Sequence, residues 1–501
     1  MFVRKKPNNS GTVSVQVIDK SRERFKVIKT IGSSADEREL ELMVAEAKRH
    51  IQKLTGVQEI DFYDYQSMYA QVLSSITAHK LVGIEYVLGK LFDAIGFNVI
   101  KDPLFKELVL YRLVFPASKL KTTEFLYRYE QKSYSEDDIY SYMDKLHSSQ
   151  KELIQRISYA HTLSIIQGGI QAVFYDVTTL YFEIEQEDDL RKTGFSKDGK
   201  SQHAQIVLGL LVSHGGYPLA YDIYEGNKYE GDTIIPILDG FKEKYAIEKL
   251  TVISDAGLLS KSNVNQLMSK GYHFILGARI KNEQKAIKDQ ILKFKLRNGE
   301  HAVIEKEESK LIVTYANQRA KKDENNRARG IKKLEKQIAS GKLTKASINN
   351  RGYNKFLALD GQITVSIDYE KAKKDAEWDG LKGYLTNSPM NTEEILNNYK
   401  QLWQIEKAFK VAKSELKIRP IYHRKQKRIE AHICINFTAY KIYKELERFL
   451  KQNNVALSPE KVIEIIQNIY EISLITPNNQ IIRKTLVITE EQKLIQQLFK
   501  F

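Results

Sequence analysis

The stretch Ala172-Val-Phe-Tyr-Asp176-Val-Thr178-Thr-Leu-Tyr-Phe-Glu183 is apolar, β-branched and aromatic almost throughout. That composition predicts a buried β-strand, with one acidic residue near its middle. Downstream, Gln205 to Val212 and Tyr217 to Tyr224 read as two further strands, joined by the turn Ser213-His-Gly-Gly216. Helical spacing runs from about Thr233 to Lys244. The apolar run Leu250-Thr-Val-Ile-Ser254 then ends at Asp255, followed by Ala256-Gly257. A short helix from about Lys261 to Ser269 leads into another strand, Tyr272-His-Phe-Ile-Leu276.

Three strands, helix, strand, helix, strand is the order of a ribonuclease H-like α/β core, and that is the expected fold class. In α/β sheets ligands gather outside the carboxyl ends of the strands, where Asp255 stands. Working outward, the core is expected at 169–284 and again at 378–450, interrupted by a β-rich basic insertion at 285–377. The insertion's strand signals are Ala302-Val-Ile, Leu311-Ile-Val-Thr and Gln362 to Ile367. Between them Arg319 to Lys345 holds ten Lys or Arg and three Asp or Glu, a solvated helix face by default and a phosphate-contacting one as the alternative. Before the core, Val13, Val15 and Val17, then Phe25, Val27 and Ile31, alternate as a β-hairpin. Ser34-Ala-Asp-Glu37 reads as a capping box opening a helix, giving a first unit at 1–55. Residues 56–168 read as helices sprinkled with Lys119, Lys121, Arg128 and Lys132, a helical region fit for DNA binding. Residues 451–501 read as a helical tail, either core packing or part of an interface between copies.

Composition narrows the function. The 501 residues carry a formal net charge of +15, so a polyanion is the expected partner. No apolar run reaches a membrane span, and the charged N-terminus Met-Phe-Val-Arg-Lys-Lys has no apolar core behind it, which argues against a secretory signal. Cys434 is the single cysteine, so neither a disulfide frame nor a cysteine zinc site is expected, and a reducing cytoplasm is.

Near the C-terminal end, Tyr399-Lys-Gln-Leu-Trp-Gln-Ile-Glu-Lys-Ala-Phe-Lys-Val-Ala-Lys-Ser-Glu-Leu-Lys417 places Leu402, Ile405, Phe409, Ala412 and Leu416 on one helical stripe. Tyr399, Glu406 and Lys413 form a second stripe beside it. If the sheet assembles as read, Asp176, Asp255 and Glu406 meet at one edge. Two unit charges about 4 Å apart repel by about 4 kcal/mol at an effective dielectric of 20, and divalent cations resolve that conflict. Hard oxygen ligands select Mg²⁺ or Mn²⁺. Two such ions would suit an in-line displacement at phosphorus.

These residues resemble the DDE transposases of bacterial insertion sequences, the IS-four-type superfamily whose third motif reads Tyr-x2-Arg-x3-Glu-x6-Lys. That motif falls on Tyr399, Leu402, Glu406 and Lys413; Asp176-Val-Thr178 and Asp255-Ala-Gly257 match the first and second. The resemblance implies that Asp176, Asp255 and Glu406 are catalytic and ligate two Mg²⁺ (or Mn²⁺) ions. It implies that Tyr399 and Lys413 contact phosphates of the transposon end and that Thr178 supports the first Asp. It also implies a homodimer on paired DNA ends and action at the bacterial nucleoid. Leu402 departs from the motif's Arg, whose contact a neighbour such as Lys407 or Lys410 would supply. Trp403 could stack on an extruded base or simply pack. His423 and Arg424, in the basic loop Arg419–Arg428, are expected at DNA. His423 and His432 are structural or phosphate-contacting rather than metal ligands, since neither has a second His at ligand spacing. The expected activity is cut-and-paste DNA transposition, with terminal inverted repeats bound and 3′-hydroxyl ends joined to target DNA. The alternatives are a metal-dependent nuclease or junction resolvase on the same core, and a repressor that has lost catalysis.

Overall fold

The computed structural model describes residues 1–21, 24–56, 72–146, 150–183, 186–196, 199–258, 260–343, 347–349, 352–360, 364–476 and 479–501. The chain divides into two units, Met1–Ala78 with Ser473–Arg483 and His79–Ile472 with Lys484–Phe501.

In the first unit the alternating valines form β2 (Val13–Asp19), flanked by β1 (Phe2–Pro7) and β3 (Lys26–Ser34) in an antiparallel sheet. Strand β1 is additional to the expected hairpin. Helix Glu37–Thr55 covers the sheet and packs Leu40 and Ala47 against Val15 and Val17. Its cap is Asp36 rather than Ser34: the Glu39 N–H donates to Asp36 Oδ1 at 3.1 Å, while the Ser34 hydroxyl donates to the Glu39 carboxylate. Part of the expected helical region, 57–71, lies outside the described residues. Strand β4 (Ile76–Leu81) follows, where helix was expected.

The strands after it are β5 (Ala172–Tyr181), β6 (Gln205–Ser213), β7 (Pro218–Glu225), β8 (Thr251–Ser254), β9 (His273–Ala278), β10 (His301–Lys306), β11 (Ser309–Tyr315), β12 (Leu357–Asp360), β13 (Thr364–Ile367) and β14 (Leu381–Thr386). All but β12 and β13 join one mixed sheet in the order β10-β11-β14-β9-β8-β5-β6-β7. β8 runs parallel to both β5 and β9, and the other neighbours are antiparallel. The helix Ile234–Tyr245 makes the crossover that parallel pairing of β5 and β8 demands.

Period-two alternation sorts the sheet's side chains into two cores. Val173, Tyr175, Val177, Val252 and Phe274 face the helices Ile234–Tyr245 and Lys261–Ser269. Phe174, Leu180, Leu208, Leu210, Ile253 and Ile275 face a larger core. That core is built on Gln426–Gln452, a 27-residue helix buried on nearly every side, and on Pro103–Val114. The helices from Lys90 to Ile165, read from sequence as a DNA-binding region, therefore belong to the same packed unit as the sheet.

Two segments differ from expectation. In the segment read as a β-rich insertion, β10 and β11 extend the main sheet, because β11 pairs along the edge of β14 from Lys310↔Thr386 to Tyr315↔Leu381. What projects beyond it is mostly helical: Asn317–Ala339, the β12–β13 pair and Tyr369–Ala376 share a small core of Leu334, Phe356, Leu357, Val365 and Ala372. The start of the strand expected from Gln362 lies outside the described residues. In the C-terminal tail, β15 (Tyr470–Ile475) and β16 (Ile481–Leu486) stand between the helices Pro459–Ile466 and Glu490–Phe499. Among the described residues no helix is long and apolar enough to cross a membrane.

Candidate active site

The alternation that buries Phe174 and Leu180 toward the larger core turns Asp176 to the same side of β5. On β8, Ile253 faces that core. The parallel register pairs Phe174 with Ile253. Asp176 follows two residues later on β5, and Asp255 comes directly after the end of the adjacent parallel strand. β8 ends at Ser254, which leaves Asp255 exposed at a carboxyl end, while Asp176 is half-buried.

The expected single helix from Tyr399 is broken. One helix runs Thr392–Lys400 and a second Trp403–Ser414. At the joint, N–H groups of Gln401, Leu402, Gln404 and Ile405 each donate to the carbonyl three residues back. This tightened turn puts Tyr399 and Glu406 on separate helices. The first packs over β8 and β9 and the second over β5 and β6. The apolar stripe survives: Leu402, Ile405, Phe409 and Leu416 are buried and Ala412 packs beside them.

Tyr399 ties the site together. Its ring is buried, and Gly277 on β9 leaves the room for its hydroxyl: a Cβ there would stand 2.6 Å from Tyr399 Oη and 3.0 Å from the Ala256 amide nitrogen. Burial pushes the phenol up, and the carboxylates of Asp255 and Glu406 push it further. Both acids thus act on one hydroxyl. Lys382, at the head of β14, lies 4.4 Å from the centre of the Tyr399 ring. Burial and Arg319 pull the Lys382 ammonium down, while Glu406 pushes it back up. Lys382, which the sequence did not single out, and Arg319, known from the sequence only as the start of a basic run, both lie beside Tyr399. Their position beside Tyr399 comes from β14 pairing with β9 and from the helix that begins at Asn317.

Among the other expected residues, Thr178 is buried beside Asp176, Trp403, Lys410 and Arg424 are exposed, and Lys413 is half-buried. Leu402 is core, so no side chain there reaches solvent as the motif's Arg would. Lys407 is committed to an ion pair with Glu447. His423 is not brought to the carboxylates; it lines a separate cavity with His432.

Three carboxylates are hard oxygen donors, so the donor chemistry suits Mg²⁺ or Mn²⁺. Their carriers adjoin. Even so, among the described residues no three His, Cys, Asp or Glu side chains stand close enough to hold one ion. Each aspartate leans on its own backbone: Asp176 Oδ1 accepts from the Val177 N–H and Asp255 Oδ1 from the Gly257 N–H, both at 2.8 Å. Drawing two carboxylates to about 4 Å costs about 4 kcal/mol at an effective dielectric of 20, which a divalent cation offsets.

A family model described as "Transposase DDE domain" matches residues 167–442, more than half of the chain and all of the site. No curated protein matches. Among solved structures, the cryo-EM structure of a piggyBac transposase synaptic complex with hairpin DNA aligns with a TM-score of 0.39 at 10% identity. The alignment covers 76% of this chain and 79% of that one. DDE transposases generally depend on divalent metal ions. The sheet that carries Asp176 and Asp255 and the helix that carries Glu406 lie inside the matched segment, and the chain belongs to the DDE transposase family, enzymes that act on DNA.

Proposed function

We propose that the chain is a cut-and-paste transposase of the bacterial insertion-sequence kind, with Asp176, Asp255 and Glu406 as its catalytic residues and metal ligands. The observation that carries this reading is Asp176 on β5 and Asp255 directly after the adjacent parallel strand β8, with the Glu406 helix packed over β5 and β6 and Tyr399 feeling both Asp255 and Glu406. The partial order β7-β6-β5-β8-β9 supports a ribonuclease H-like core. Bound ions, Mg²⁺ or Mn²⁺, would supply Lewis acidity at a scissile phosphodiester. The chain's own groups do the rest. Tyr399 presents a protonated hydroxyl as a phosphate donor; Lys382, Lys410 and Lys413 attract the backbone. Exposed Trp403 offers a stacking face for an unpaired base. Two ends cut in concert call for a homodimer on DNA.

The discriminating experiment uses pre-cleaved transposon ends bearing 3′-hydroxyls, a target plasmid and Mg²⁺. Joined products are expected. Cleavage of uncut flanks without joining would point to a nuclease, and DNA binding with neither reaction, in Mg²⁺ or Mn²⁺, to a repressor. Lys382→Met is expected to weaken end binding at every sequence tested and to lower the slope of log affinity against log salt by about one. Anisotropy titrations across a salt series read this directly; an unchanged slope removes Lys382 from the DNA surface.

A further inference from the structure

Beneath the loop Lys417–Arg428 lies a cavity of about 260 Å³ that the active site does not use. Its walls include Arg112 from the helix Pro103–Val114, Lys119, and the rings of His423 and His432. Arg112 is 7% exposed, Lys119 4% and His432 5%. Among the described residues, no hydrogen bond or ion pair reaches the Arg112 guanidinium or the Lys119 ammonium, and no carboxylate weighs on either. His432 Nε2 donates to the Ile418 carbonyl at 3.0 Å, and its Nδ1 has no partner. Two cations are therefore buried side by side against two imidazoles with nothing of opposite sign.

Such an arrangement is costly by itself, because a buried charge without a counter-ion loses its hydration and recovers little. The strain shows in the groups. Burial, then Arg112, drives the Lys119 ammonium well below the usual lysine range, and burial holds Arg112 down to about 10. Burial, with Lys119, Arg112 and Arg428 beside it, drives His423 down to about 3. An anion in the cavity would oppose each of these shifts, since its charge favours the protonated form of all three groups.

We propose that this cavity is a binding site for a phosphomonoester dianion, held by Arg112 and Lys119. A guanidinium fork beside an ammonium suits a tetrahedral oxyanion. Two positive charges match the two negative charges of a terminal phosphate better than the single charge of an internal phosphodiester. The site is joined to the catalytic strand, since the Ile421 N–H donates to the Tyr181 carbonyl, and Ile421 bridges Phe182. Phe182 lies six residues beyond Asp176, roughly 20 Å at strand rise. The 5′-phosphate of a DNA strand is the source we favour, and that choice rests on the transposase reading; the dianion site does not.

The test uses the full chain. Titration calorimetry with inorganic phosphate is expected to show one site, and phosphate is expected to raise the thermal midpoint above that in chloride of equal ionic strength. Both responses should vanish in Lys119→Met and in Arg112→Gln. A short 5′-phosphorylated oligonucleotide should bind roughly tenfold more tightly than its 5′-hydroxyl twin, the worth of one charge-assisted contact, and both variants should lose that preference. A phosphate response without the oligonucleotide preference keeps the dianion site and assigns it to free phosphate. No heat in the wild type, or the same response in wild type and Lys119→Met, overturns the proposal. Asp255→Asn should keep the phosphate response, so loss of strand cleavage and loss of this site read out separately.

Discussion

Asp255→Asn is expected to slow DNA strand cleavage by roughly a thousandfold, about 4 kcal/mol of transition-state stabilisation, in either Mg²⁺ or Mn²⁺. The substitution is nearly isosteric. Its side-chain oxygen can still accept from the Gly257 N–H, so the turn after β8 keeps its geometry. Asp255 is exposed, and the fold should lose little, since surface changes usually stay within about 0.5 kcal/mol. What disappears is one negative charge at the carboxyl end of a parallel strand. End binding should stay within a few-fold, because phosphate contacts dominate affinity and come from cations elsewhere. Cleavage kinetics on labelled ends, beside a melting curve, separate these effects. Wild-type cleavage by Asp255→Asn would remove Asp255 from the chemistry.

Gly277→Ala should damage both stability and activity, though no charge changes. The added methyl would stand 2.6 Å from Tyr399 Oη and 3.0 Å from the Ala256 nitrogen. Carbon does not approach oxygen that closely, so either the buried phenol moves or β9 shifts away from β8. Overpacking of this kind costs about 1–3 kcal/mol. Displacing Tyr399, or the backbone that follows Asp255, by about 1 Å can cost on the order of a hundredfold in rate. The hydroxyl oxygen is the nearer obstacle. In a Tyr399→Phe background, Gly277→Ala should therefore lose less stability than in the wild type, a coupling that a double-mutant cycle measures. Equal losses in both backgrounds would mean that the Ala256 amide, not the phenol, sets the limit.

Much of the catalytic half was legible because its signals are local. Apolar runs of strand length, the Gly215-Gly216 turn and the helical stripe from Leu402 to Leu416 each carry their meaning within a few residues. The order of β5 to β9 follows from them. The break at Gln401–Leu402 was not legible, since the apolar stripe continues across it and only the carbonyl partners change. Nor was the membership of β10 and β11: a strand's run looks the same whether its partner is a near neighbour or the edge of β14.

What the chain's sequence determined by itself was the kind of element at most positions, and the placing of Asp176 on one strand and Asp255 at the end of another. What only the tertiary structure decided was company: Lys382 over Tyr399, Arg112 beside Lys119, His423 in a cavity apart from the acids. The physical reason is that periodicity is written along the chain, whereas the field at a side chain is summed over whatever packing brings near it, however distant in sequence.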